Sequence, residues 1–384
     1  MYNLLILLSL LTISANIHFN MLYFYPVIPQ NQPVFHNPFV IKHELCSPII
    51  HNNVLYQGLK DGIILSQDIE NKRVFWQFKV VGQPTSVSLS DDKLVITTLK
   101  GFIYVLDNKG NLLWSYNTHK EILSKPLIIN DNLYLQTTLD TLYAFNLNDG
   151  TLKWQYGMKS MYQGLQVNLT PTPYYSDNII YTGFSNGDAA ALDASSGKEL
   201  WIRKPQTTKQ LQDIVVQPAG NDSIVIFGSY DNGLFGLDKL NGNLIWERND
   251  LTRVLGLCIT ENTLFATFVD GKVYRLDART GDTIWKTELG DNARLLAPML
   301  YNNSVLIAVG RGKYKGVVLL DQFTGAIIKH FSIVSGVFAQ PTIFNNKIYV
   351  LSDGGYLYCF YSYQYEYKPE EDIFGWFTHK LNDP

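Results

Sequence analysis

Metal binding, nucleophilic attack or proton transfer in this chain would have to come from three cysteines, seven histidines and 34 acidic side chains. Cys46, Cys258 and Cys359 lie far apart and form no Cys-x-x-Cys pair, so the usual spacing of a zinc or dithiol site is absent. An odd count leaves at least one thiol unpaired. Each cysteine stands in an apolar, strand-like run, where a small buried hydrophobe is the expected role. His18, His36, His43, His51, His119, His330 and His379 are scattered singly. No HExxH, no Gly-x-Ser-x-Gly elbow and no phosphate-binding glycine loop is present. The reading is therefore a protein with no catalytic residues, no metal ligands and no cofactor, although distant loops could still assemble a site.

The carboxylates concentrate at one recurring place. A stretch such as Leu276, Asp277, Ala278, Arg279, Thr280, Gly281 ends a strand-like run, and a tryptophan follows at Trp285. The Gly, three residues and Trp recur as Gly110 to Trp114, Gly150 to Trp154, Gly197 to Trp201, Gly242 to Trp246 and Gly281 to Trp285. Trp76 adds a copy with Lys72 at the glycine position, and Gly325 begins one with Lys329 in place of Trp. In each turn the Asp can accept backbone N–H groups and the Gly can supply a positive φ. Structure thus explains both residues before catalysis is needed.

The period is about 42 residues, the length of a four-stranded propeller blade. Pro48, Pro84, Pro126, Pro171 or Pro173, Pro218, Pro298 and Pro341 open successive units; the unit near Gly256 has none. Apolar runs such as Leu142, Tyr143, Ala144, Phe145 lack strict alternation, as expected of strands covered on both faces. The Trp at one position per unit would fill the wedge between neighbouring blades, which stabilises by roughly 3 kcal/mol each. The fold class is all-β: an eight-bladed β-propeller of four-stranded antiparallel blades over residues 34–361. The eighth unit lacks its Gly and Trp, so its outer strand must come from elsewhere. Counting back from Pro48 assigns residues 35–42, closing the ring with an N-terminal strand; the competing assignment folds residues 361–367 back.

Composition limits the rest. Hydrophobic residues are 46% and charged residues 17%, enough for a large core, and a formal charge of −3 offers no general attraction to nucleic acid. Residues 4–13 are nearly all apolar, the length of a signal-peptide core, though no Lys or Arg precedes them and a second apolar stretch covers 21–28. Residues 1–28 are read as a signal peptide, with an uncleaved membrane anchor or a disordered start as alternatives. In the tail, 362–384, Pro369 and the acids after it resemble the first turn of a short helix.

The repeat LDxxTGxxxW resembles that of pyrroloquinoline-quinone-type propellers over nearly the whole chain. Those include quinone-dependent alcohol dehydrogenases and the BamB-like outer membrane protein assembly factors. The length, the leader and the absence of an adjacent Cys pair favour the BamB-like branch. That resemblance implies a non-catalytic scaffold, periplasmic and associated with the outer membrane, in the machinery that assembles outer-membrane β-barrels. Its implied partner is BamA or another subunit, with unfolded outer-membrane proteins also in view and membrane association through the N-terminal segment or the complex. The partner-binding residues carried over are Leu165, Val167, Asn168, Leu211 and Asp213. Asn168 stands where the family has Arg and Val215 where it has a second Asp, so charge-assisted contacts there are lost. The alternatives are a quinone or other small-ligand propeller, and an exported propeller holding an unrelated partner.

Overall fold

A computed structural model describes residues 17–26, 43–157, 170–204 and 211–364. Eight antiparallel sheets follow one another along the chain and are arranged as a β-propeller. Blade 2 is typical, with strands Pro84–Ser90, Lys93–Thr98, Phe102–Asp107 and Leu112–Asn117 from the channel outward. Two-residue turns join first to second strands, and at Asn52-Asn53, Asp177-Asn178 and Asn345-Asn346 both residues have φ between 47° and 62°. Asn and Asp tolerate this region, and such turns match the twist of the strands they join.

Burial differs by strand. The second and third strands are covered on both faces, as in Leu94, Val95 and Ile96, all fully buried. The outer strands instead alternate. In Leu152–Gly157, Trp154 and Tyr156 are half-buried while the intervening residues are exposed. Continuous apolar runs therefore describe the middle of each blade, and the outermost strand has only one covered face.

The repeat residues meet across blade boundaries. Each Trp indole donates to a carbonyl in the next blade's third turn: Trp76 to Asn108, Trp114 to Leu147, Trp154 to Ala194, Trp201 to Lys239, Trp246 to Ala278 and Trp285 to Gln322, at 2.8–3.2 Å. The rings lie against Gly110, Gly150, Gly197, Gly242, Gly281 and Gly325 in the same order. A Cβ there would come within 2.6 or 2.7 Å of the preceding Trp, or at Gly325 equally of Thr287. So the glycine has two duties, a positive φ of 71–85° and room for the ring. The aspartate does what its position implies: Asp193 Oδ1 accepts the Ser195 and Ser196 amides, and Asp277 Oδ1 accepts that of Arg279.

The eighth blade contains Thr342–Phe344, Lys347–Leu351 and Tyr356–Gln364, with Ile17–Pro26 as its outer strand. Register runs antiparallel from Ile17 opposite Gln364 to Pro26 opposite Tyr356, with a bulge between Met21 and Tyr23. The ring is closed by an N-terminal strand, but one earlier than counting from Pro48 places it. Residues 35–42 lie outside the described residues, and residues 361–364 extend the third strand instead of folding back. The count fails because it gives the link into blade 1 the length of other inter-blade links, and this one is longer. The stretch from 21 onward, read as part of the leader, thus lies largely in the blade. Residues 1–16 and residues 365–384, where a short helix is expected, lie outside the described residues.

Candidate interaction site

Strand alternation sorts the loops onto two faces. Links between blades and turns between second and third strands share one face, here the connection face. The Asp-Gly turns occupy the opposite one. Most links are short, as from Lys79 to Pro84 between blades 1 and 2. Those from blade 3 to 4 and from blade 4 to 5 are longer and adjacent, and they contain the carried-over residues. Leu165, Val167 and Asn168 lie outside the described residues.

The root of the second link is well defined. Ile214 pairs with Ser229 as an isolated bridge, and its side chain fills the space above Gly183, where a Cβ would lie 2.2 Å away. Backbone bonds run from Tyr230 N to Asp213 O at 2.8 Å, from Asp231 N to Leu211 O at 3.0 Å and from Ile214 N to Phe184 O at 3.1 Å. Leu211 is half-buried, whereas Asp213 is 1% exposed. Asp213 therefore belongs to the foundation of the loop, because the segment is hydrogen-bonded to blades 4 and 5 along its length. Sequence spacing could not show this.

Two further carboxylates, Asp140 beside Asp213 and Asp188 beside Asp140, lie in the turns of blades 3 and 4, both buried. Asp140 accepts the Ser185 amide at 3.0 Å and the Ser185 hydroxyl, which ties blade 3 to blade 4. Asp188 accepts from the Asn186 side chain at 2.8 Å. Burial pushes both carboxyls upward, and for Asp140 the nearby Asp213 adds to the rise. Sequence reading missed these residues; the only signal was their place in turns that share a face with the long links. Among the described residues no group of His, Cys, Asp and Glu could hold a metal ion. The three cysteines form no disulfide. Cys46 lies in the bend before blade 1 instead of in a strand, and burial pushes its thiol and that of Cys258 upward.

Rigid blades, cross-blade Trp contacts and two long adjacent links on one face define an eight-bladed interaction propeller. A family model described as outer membrane protein assembly factor BamB matches residues 60–287 and 269–363, and the chain belongs to this family. The chain is 26% identical over 285 residues to outer membrane protein assembly factor BamB of Shewanella oneidensis, covering 71% of this chain and 69% of that protein. To the Yersinia pestis protein of the same name it is 22% identical over 333 residues, covering 82% and 83%. Its fold is similar to the crystal structure of BamB from Moraxella catarrhalis, with TM-score 0.72 at 20% identity over 90% of this chain and all of that one. Quinohemoprotein alcohol dehydrogenase from Comamonas testosteroni shares the fold, with TM-score 0.66 at 12% identity over 89% of this chain and 76% of that one.

Proposed function

We propose that this chain is a non-catalytic scaffold of outer-membrane β-barrel assembly, exported to the periplasm by its leader, and that it holds BamA or another subunit through the long links of blades 3 to 5. What carries the reading is the pairing of family membership with two adjacent long links, the second rooted by backbone bonds to two blades. Leu165, Val167, Asn168 and Leu211 make the contact, and Asp213 holds the root of the second link. Rigid blades fix the spacing of such loops, so little ordering entropy is lost on binding. Unfolded outer-membrane proteins are a further partner class.

The test is affinity capture of the exported chain, with mass spectrometry of what it retains. BamA or another assembly subunit is expected, and Leu211→Asp should weaken recovery while leaving the melting temperature nearly unchanged. Capture that repeatedly lacks every assembly subunit would overturn the proposal.

A further inference from the structure

The connection face carries its charge unevenly. Where the chain entering blade 1 meets blades 1 and 2, Lys60, Lys79 and Lys100 surround a cleft of about 690 Å³ whose lining includes the apolar Leu45, Val80 and Leu99. Lys79 and Lys100 are exposed and Lys60 is half-buried; among the described residues none of the three forms an ion pair. Two of them are held in place. Lys79 Nζ donates to the Asp61 carbonyl, and the stem of Lys100 lies over Gly82, 2.9 Å from where a Cβ would stand. Asp61 is the one carboxylate of the cleft. Across the same face, a cleft of about 650 Å³ at the turns of blades 5 and 6 has the opposite character, with Asp231, Asp270 and Asp291 around Arg253.

We propose that the cleft at Lys60, Lys79 and Lys100 docks an acidic, extended polypeptide segment with apolar residues set among its carboxylates. Three ammonium groups around one concavity focus positive potential there, although the chain as a whole is negative. The apolar lining takes the alternate side chains of such a segment, while the lysines meet its carboxylates. An anionic bilayer fits less well, because lying across this face it would also meet Asp291, which is exposed. A peptide confined to blades 1 and 2 avoids it. The site does not involve the links of blades 3 to 5, so either proposal can fail without the other.

A short labelled peptide alternating Glu and Leu, titrated with the full chain at low salt and followed by fluorescence anisotropy, tests this. Binding is expected, weakened by salt and by on the order of tenfold in the variant Lys60→Ala, Lys79→Ala, Lys100→Ala. The single variants Lys79→Ala and Lys100→Ala, both at exposed positions, serve if the triple variant fails to fold. Lys109→Ala with Lys198→Ala, on the opposite face, should leave binding unchanged. No binding by the natural chain, or equal binding by the lysine variants, would overturn the proposal. So would lysine-dependent binding confined to phosphatidylglycerol vesicles.

Discussion

Glu44 is wholly buried where the chain enters blade 1; one oxygen accepts the Lys60 amide at 2.9 Å and the other meets no donor among the described residues. Desolvation pushes its carboxyl up to about 7 from the ordinary 4.5. A folded-state value above the unfolded one means that the folded chain holds the extra proton. The stability this contributes is complete below about pH 4.5 and is lost as pH rises through 7, on the order of 3 kcal/mol at most. Glu44→Gln should therefore melt higher than the natural chain at pH 8, with the gap closing towards pH 5; parallel pH curves would refute this. Asp213 is buried as well, at the root of the second long link. Asp213→Lys forces a longer, charged side chain into a site only 1% exposed, so it should cost about 3 kcal/mol or more in denaturant unfolding. Such a variant cannot report on surface contact, and Leu211 is the better probe.

At the level of elements, the unit of cohesion is a Trp on one outer strand seated on the Gly turn of the next blade. That rule explains both breaks in the repeat. Lys329 stands in blade 7 because the third and fourth strands of blade 8 come from opposite ends of the chain, leaving no turn to receive an indole. Lys72, at φ 63°, occupies the glycine position of blade 1, where the preceding outer strand Ile17–Pro26 contains no Trp. Gly242→Ala should lower stability by about 2–4 kcal/mol, through strain at positive φ and the clash with Trp201. Lys329→Trp should give no more than about 0.5 kcal/mol, because a ring without its seat gains little burial. Denaturation midpoints check both, and a clear gain at position 329 would show that the missing turn is not the reason for the lysine.

For the molecule as a whole, closure rests on nine register pairs between Ile17–Pro26 and Tyr356–Gln364. Removing residues 1–26 should expose Tyr356–Gln364 as an open edge, lowering the melting temperature and promoting self-association visible by light scattering. Removing residues 1–16 alone should do neither. By itself the sequence determined the all-β class, eight units and the turn chemistry, because Asp, Gly, Asn and Trp act within a few residues or at a fixed distance along the chain. Through the family resemblance it also pointed to the segments near 165 and 211. Only the tertiary structure decided that Ile17–Pro26 is the closing strand, that Asp213 lies under its loop, and that three lysines from separate turns share a cleft. Those facts depend on which distant segments pack together, and no local pattern in the chain carries that information.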